Sequence, residues 1–371
     1  MKTVCISLTN RTNYSKLKLV LKELNKYKNL EIKIVISSTI LLNRYGDGYK
    51  DLINDGWQID KKIDCILMND SHEAMSKTIG ISIIEHSSYF AEIKPDLLLI
   101  VGDRFDMLAP ALTASMMNIP IGHIQGGELS GTIDNVIRDI ISRISCMHFV
   151  STSKSAENLR NYGIDNNLIF NYGCPAVEYI SMIEVGNHFD ENKINKKFKS
   201  SFNIDKNEEY LLVMIHPDTT NNKDVNTELI LQKIEKTKMK AIIFYPNVDP
   251  NNSIILSSIS NYKNNENFHI IKHMPLEGFI HVMSKCSCMI TNSSSGIREA
   301  ASFGVPVLNL GYRQVNRERN LNVIDIGNNY KSIEKMIYKY KNKKFPIQNI
   351  YYKENCSKRI AEEILNKINL S

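Results

Sequence analysis

Short, nearly continuous apolar runs alternate with longer amphipathic stretches along most of this chain. Val4 to Leu8 reads as a strand. Lys16 to Lys26 reads as a helix whose apolar face is Leu17, Leu19, Val20, Leu21 and Leu24. Leu30 to Ser37 and Cys65-Ile66-Leu67-Met68 predict further strands, Glu73 to Glu92 a long helix, and Leu97 to Gly102 a buried strand. A helix over Asp106–Met117, a strand over Ile119–Ile124, a helix over Asp134–Ser145 and a strand over Phe149–Thr152 complete the first series. Strands that are apolar throughout need cover on both faces. The pattern therefore points to a parallel sheet sandwiched between helices.

The pattern restarts after Gly173-Cys174-Pro175. Strands are expected at Tyr210–Ile215, Lys240–Tyr245, Phe268–Lys272, Cys288–Thr291 and Val305–Leu310. Helices are expected at Asn226–Thr237, Glu277–Cys286 and Gly296–Phe303, with a last one from about Glu354 to Leu370. A boundary falls near 173–205. The fold class is α/β, with two Rossmann-like, doubly wound domains and a ligand cleft between them. Ligands of such sheets bind beyond the carboxyl ends of the strands.

Composition narrows this picture without changing it. The chain has 371 residues, natural for two domains, and its 43% hydrophobic content is that of a globular protein. The net charge of +6 is spread along the chain, and the basic runs Asn195–Lys199 and Lys339–Lys344 read as solvated faces, so no nucleic-acid partner is expected. The seven cysteines are odd in number and contain no CxxC pair, which suits free thiols in a reducing compartment. The N-terminus runs straight into a strand, and no apolar stretch is long enough to span a bilayer. A cytoplasmic protein with no membrane partner is expected. No metal-ligand spacing and no GxGxxG after the first strand occur, so neither a metal nor a cofactor is expected.

Four strand ends release polar residues where a cleft would lie. Thr9-Asn10-Arg11-Thr12-Asn13-Tyr14 offers Arg11, whose planar fork matches diphosphate oxygens; it equally suits a surface turn. Gly102-Asp103 places a carboxylate at the end of a buried strand, either as a helix N-cap or as a catalytic group. His123-Ile124-Gln125-Gly126-Gly127-Glu128 brings Glu128 onto a tight turn, and Asp134 follows as an N-cap or a third acid. Crowded carboxyls divide into proton holders and proton acceptors. Asn292-Ser293-Ser294-Ser295-Gly296 leads from a strand into a helix, with Glu299 a turn inside. It reads as a diphosphate cradle or as a capping box with Ser295 as the cap. His216, before Pro217 at another strand end, is a further candidate.

Taken in order, these segments resemble the UDP-N-acetylglucosamine 2-epimerase family, in particular its hydrolysing branch that feeds sialic-acid synthesis. The resemblance rests on Thr9-Asn10-Arg11 with Tyr14, Gly102-Asp103-Arg104, His123 to Glu128, Ile133-Asp134 with Ile137-Arg138, and His148 to Ser151. It continues through His216-Pro217, Asn292 to Gly296, Glu299 and Asn309 to Gln314. It implies a glycosyltransferase-B arrangement, with domains at 1–173 and 174–353 and a last helix, 354–371, crossing back to the first. It also implies that Asp103, Glu128, Asp134 and His216 are catalytic. The groups that bind the UDP-sugar would be Arg11, Lys16, His216, Asn247, Ser293, Ser294, Ser295, Gly296, Glu299 and Arg313. Two departures stand out: the first loop usually reads Gly-Ser-Arg-Ala-Glu-Tyr, and the loop from Glu128 to Asp134 is one residue shorter here.

The activity so implied converts UDP-N-acetylglucosamine and water to N-acetylmannosamine and UDP, through a 2-acetamidoglucal and without a cofactor. The closest alternative keeps this chemistry on UDP- or GDP-linked N,N′-diacetylbacillosamine, for legionaminic acid. A non-hydrolysing epimerase would retain UDP on its product. A glycosyltransferase of this architecture would need an acceptor, and a non-catalytic nucleotide-sugar-binding protein would bind the sugar without consuming it. The family also implies a homodimer or homotetramer.

Overall fold

The computed structural model describes residues 1–67, 69, 71–183, 208–220 and 225–369. The basic run Asn195–Lys199 lies outside them. The chain divides into two compact units. Met1–Tyr179 with Tyr351–Ser371 make the first and Ile180–Ile350 the second, so the division falls a few residues beyond Gly173.

The first unit is built on a seven-stranded parallel sheet. Its strands are β1 (Lys2–Leu8), β2 (Leu30–Ser37), β3 (Lys61–Ile63), β4 (Leu97–Val101), β5 (Ile121–Ile124), β6 (Met147–Val150) and β7 (Ile169–Asn171), in the order β3-β2-β1-β4-β5-β6-β7. Side chains alternate across each strand, so two cores form. Val4, Ile6, Leu8, Leu97, Leu99 and Val101 pack beneath α1 (Arg11–Leu24) and the last helix of the chain. Cys5, Val35, Leu98 and Ile100 pack beneath α3 (His72–Ile93), α4 (Phe105–Met116) and α5 (Ile133–Ile144). Shorter helices α2 (Lys50–Asn54) and α6 (Ser153–Asn161) complete the layers, and α7 (Pro175–Met182) runs across the division at Tyr179.

The second unit holds a six-stranded parallel sheet. Its strands are β8 (Tyr210–Met214), β9 (Lys240–Phe244), β10 (Phe268–Ile271), β11 (Cys288–Thr291), β12 (Val307–Leu310) and β13 (Val323–Gly327), ordered β10-β9-β8-β11-β12-β13. Helices α8 (Thr227–Lys236), α9 (Asn252–Ser260) and α12 (Ile333–Tyr340) cover one face. Helix α10 (Leu276–Lys285) and the segment that begins with α11 (Ser294–Arg298) cover the other. The chain ends with α13 (Cys356–Asn369), which belongs to the first unit and buries Ile360, Ile364 and Ile368 there. In each sheet the strand order reverses once, between β1 and β4 and between β8 and β11. Polar residues released at those carboxyl ends diverge and leave room for a ligand.

Three expected elements differ. The third strand is Lys61–Ile63, and Cys65 follows it buried in coil; Met68 is outside the described residues. This strand is the sheet edge, where charged residues such as Lys61 and Lys62 are tolerated. The first helix begins at Arg11 rather than Lys16, because Asn10 caps it. The helix expected over Gly296–Phe303 starts earlier and stops at Arg298. A 3₁₀ turn over Ala300–Phe303 follows it and ends at Gly304, where φ is +61°. The run Lys339–Lys344 is largely exposed, with Lys341 paired to Glu209, in keeping with a solvated face. All seven cysteines are free, and six are buried. Among the described residues, no helix is long and apolar enough to cross a membrane.

Three histidines of the first unit, His86, His123 and His148, are fully buried, and burial pushes each from 6.5 down to about 4. They are neutral in the native state and take up protons only on unfolding. Between those two values the unfolded chain binds more protons, so stability rises with pH. Their contribution is complete above 6.5 and is lost as pH falls toward about 4. At about 1.4 kcal/mol per unit, each histidine withdraws about 2 kcal/mol by pH ~5. The urea midpoint of unfolding should therefore fall steeply between pH ~7 and ~5. A level midpoint over that range refutes this account.

Candidate functional site

The carboxyl end of β1 is tied down by side chains before it exposes anything to a ligand. Asn10 caps α1, its Oδ1 accepting from the Thr12 amide at 3.0 Å. Buried Asn13 reaches back. Its Oδ1 accepts from the amides of Thr9 and Asn10, and its Nδ2 donates to the Val101 carbonyl at 3.2 Å. The last bond joins the first turn of α1 to the end of β4, at the point where the strand order reverses. Arg11 is thereby fixed as the first residue of the helix. Burial, together with the like charge of Arg104, pulls its guanidinium down to about 10, so it remains a cation at neutral pH. Lys16, one turn further along α1, brings its ammonium to Gly102: a Cβ on that glycine would stand 3.8 Å from Nζ. Arg11, Lys16 and Arg104 thus gather positive charge at the carboxyl ends of β1 and β4, an arrangement that suits an anion.

The acids lie at the neighbouring strand ends. Asp103 is not an N-cap, since α4 is preceded by Arg104. Its Oδ2 instead accepts from Nη2 and, at 3.1 Å, from Nε of Arg138, which is fully buried on α5. Arg138 Nη1 donates to the main-chain carbonyl of Glu128 and to Asn135 Oδ1. Burial opposes the charge of Arg138, but Asp103 and Glu128, followed by Asp134, outweigh it and hold the guanidinium above its ordinary value. All three predicted acids therefore act on a single cation. Asp134 is not an N-cap either: Thr132 precedes α5, and Asp134 sits partly exposed in its first turn. Glu128 is buried behind a turn that only glycine can make. Gly127 has φ +73°, and a Cβ there would stand 2.2 Å from the Ser155 carbonyl oxygen. On β5, His123 ties the neighbouring strand end, its Nε2 lying 2.8 Å from the Gly102 carbonyl.

In the second unit the hub is Asn292, at the end of β11. Its Oδ1 accepts from the His216 amide at 2.8 Å and its Nδ2 donates to the His216 carbonyl at 2.7 Å, locking the ends of β8 and β11 together. Its own carbonyl accepts from Arg313 Nη1 at 3.3 Å and from Gln314 Nε2 at 2.9 Å. Asn247 joins the group through its backbone, its amide donating to His216 Nδ1 at 3.1 Å. The N-cap of α11 is Ser293 rather than Ser295, and its Oγ accepts from the Ser295 amide. Ser294 and Ser295 therefore lie in the first helical turn, partly exposed, and Glu299 follows the helix as its C-cap. Gly296 serves packing. A Cβ there would stand 2.6 Å from Thr291 Cγ2 and 2.9 Å from Val307 Cγ1, so its absence lets the helix sit on β11 and β12.

The predicted residues thus form two groups, each built within its own unit. Arg11, Lys16, Asp103, Glu128 and Asp134 stand at strand ends of the first. His216, Asn247, Ser293, Ser294, Ser295, Gly296, Glu299 and Arg313 stand at those of the second. Arg138, Asn292 and Arg104 were missed as site residues. Arg138 had one signal, a basic residue at a position that the amphipathic pattern of α5 turns inward beside Ile137 and Ile141. Among the described residues, no group of three or more His, Cys, Asp or Glu side chains is arranged to hold a metal ion.

Removing Arg138 strands buried negative charge. Arg138→Met should destabilise the chain by about 3–5 kcal/mol, the usual cost of breaking a buried ion pair from one side. Arg138→Met with Asp103→Asn should recover much of that loss. Thermal or urea unfolding of the two variants checks this, and a double variant no more stable than the single one would contradict the pairing.

Comparison with known proteins agrees with this architecture. A "UDP-N,N'-diacetylbacillosamine 2-epimerase (hydrolyzing)" of Legionella pneumophila is 32% identical, with 97% of each chain covered. A "GDP/UDP-N,N'-diacetylbacillosamine 2-epimerase (hydrolyzing)" of Campylobacter jejuni is 32% identical over 87% of this chain and 84% of its own. A UDP-N-acetylglucosamine 2-epimerase of Neisseria meningitidis is 28% identical over 87% and 83%. Among solved structures, the UDP-GlcNAc 2-epimerase from Neisseria meningitidis bound to UDP-GlcNAc superposes with a TM-score of 0.81. It covers 99% of this chain and all of its own at 22% identity, a likeness of fold. The UDP-N-acetylglucosamine 2-epimerase family itself matches residues 22–365. With two parallel α/β units and polar groups gathered at both strand-order reversals, the chain belongs to the UDP-N-acetylglucosamine 2-epimerase family.

Proposed function

We propose that this protein is a hydrolysing 2-epimerase of a UDP-linked sugar. The carrying observation is that Asp103, Glu128 and Asp134 all act on the buried guanidinium of Arg138. Inverting C2 requires a proton to leave one face of the sugar and another to return on the opposite face, so it needs more than one acid–base group. First, the C1–O bond to UDP breaks as the C2 proton passes to a carboxylate, leaving a C1=C2 double bond. Water then adds its hydroxyl to C1 and a carboxylic acid returns a proton to C2. The three acids divide these duties. Within the first unit Arg11 and Lys16, and within the second Arg313 and the hydroxyls of Ser293, Ser294 and Ser295, each suit an anion such as a diphosphate, where charge develops as the bond breaks. His216, Asn247, Gly296 and Glu299 complete the nucleotide-binding set. The reaction needs no redox cofactor.

For the sugar, UDP-N,N′-diacetylbacillosamine is preferred over the UDP-N-acetylglucosamine expected from the motifs. Two relatives whose names carry the diacetylated sugar match at 32% identity, against 28% for the Neisseria meningitidis UDP-N-acetylglucosamine 2-epimerase. The product would be 2,4-diacetamido-2,4,6-trideoxymannose with free UDP. The UDP-N-acetylglucosamine reading stands second, favoured by the fold match to a structure bound to that compound.

Side-by-side turnover of the two purified UDP-sugars in deuterium oxide tests both readings. The expected outcome is free UDP, deuterium at C2 of the released sugar, and a higher kcat/KM for the diacetylated substrate. Preference for UDP-N-acetylglucosamine would select the second reading. UDP release with no deuterium at C2 would exclude both.

A further inference from the structure

Helix α3 carries apolar residues on the side that solvent meets. Thr78, Ser82 and His86 are among its buried residues, while Ile81 and Ile84 face out, Ile84 at 66% exposed. A helix that covers a sheet ordinarily turns its apolar stripe inward and its charges outward. The two isoleucines do not stand alone. Helices α4 and α5 cover the same sheet face, and they expose Met116, Val136 and Ile140. On the opposite face, among the described residues, α1 and α13 expose no large apolar side chain. The apolar exposure is thus gathered on one helix layer, as on a docking face, rather than scattered singly. With α3 about 33 Å long and neighbouring helices about 10 Å apart, the layer measures on the order of 700 Å², close to the ~800 Å² that each partner of a stable complex buries.

The spacing along α3 indicates what covers it. Gly80, near the middle of this 22-residue helix, is exposed, and a Cβ there would meet nothing within 4 Å. No contact within the chain asks for glycine at this position, and glycine weakens a helix interior relative to alanine. Gly80 and Ile84 stand four apart on one row of the helix surface, and Lys77, Ile81 and Glu85 form a neighbouring row. Both rows are self-complementary about a point near the level of Ser82. An antiparallel crossing on a two-fold axis there sets each Ile84 over the other chain's glycine gap and each Lys77 against a glutamate. Within its own helix Lys77 pairs with exposed Glu73, a contact too weak to hold it from a partner. We propose that this layer is a two-fold interface with a second copy of the same chain, in which α3 crosses α3 antiparallel, Ile84 seats on the partner's Gly80 and Lys77 faces the partner's Glu85. The proposal stands independently of the nucleotide-sugar reading.

Sedimentation of the full chain over a range of micromolar concentrations tests it. The parent should form an even-numbered assembly that Ile84→Asp halves, dimer to monomer or tetramer to dimer. Association should weaken about a hundredfold or more, because a carboxylate would be buried in an apolar contact. Gly80→Phe should act in the same direction by filling the gap. Both positions are exposed in the chain, so circular dichroism and melting should stay those of a folded protein. The charges test the register. Lys77→Glu and Glu85→Lys should each weaken association about tenfold by setting like charges face to face. The double variant restores both pairs with their signs exchanged and should return to within about threefold of the parent. A monomeric parent overturns the proposal, as does an assembly that a folded Ile84→Asp or Gly80→Phe variant leaves intact. A double charge variant no tighter than either single one overturns the antiparallel crossing. Should Ile84→Asp fail to fold, Gly80→Phe and the charge variants decide the question.

Discussion

A fully buried guanidinium must be surrounded by acceptors and counter-charge, and the carboxyl ends of β4 and β5 in the first unit are organised by that demand. Arg138 draws Asp103 from the loop after β4, the Glu128 carbonyl from the loop after β5, and Asn135 from its own helix. These bonds hold the Asp103 carboxylate and the main chain at Glu128, while Asp134, in the first turn of the same helix, adds its charge. Without the cation, Asp103, Glu128 and Asp134 would repel one another. With it, the cost of placing them near one another falls. The cost of burying Arg138 is thus coupled to the placing of the acids.

The second unit solves a different problem with neutral groups. Asn292 uses both ends of its amide on His216 and its carbonyl on Arg313 and Gln314. An asparagine can do this because it both donates and accepts; an aspartate would face the His216 carbonyl with no proton to offer. Asn292 thus holds the loop without adding a negative charge of its own. Glycines serve two separate ends in the molecule. Gly127 supplies a left-handed turn that places Glu128, and Gly296 supplies contact between a helix and two strands.

Much of the architecture was legible in the chain. Uninterrupted apolar runs such as Leu97–Val101 can be buried on both faces only in a parallel sheet, and most central strands fall where the pattern puts them. The pattern failed at edges and ends. Lys61–Ile63 carries two lysines that only an edge strand tolerates, and it was passed over for the more apolar residues that follow. The start of α1 was placed late because its signal is a pair of asparagines rather than an apolar period. The short turns at Asp103, Asp134 and Ser295 each allowed an N-cap. The caps proved to be Arg104, Thr132 and Ser293, which frees all three residues from that duty.

Local patterning and residue type by themselves determined the parallel α/β class, the alternation of strand and helix, and the strand ends at which polar residues emerge. Those features depend on periodicity and on the burial of apolar side chains, both of which are local. Only the tertiary structure decided that the buried Arg138 meets Asp103 and the Glu128 carbonyl, and that the Asn247 amide donates to His216 Nδ1. Arg138 lies 35 positions from Asp103, and Asn247 lies 31 from His216. Such pairings leave no period in a sequence, because they are made by strands laid side by side after the chain has folded.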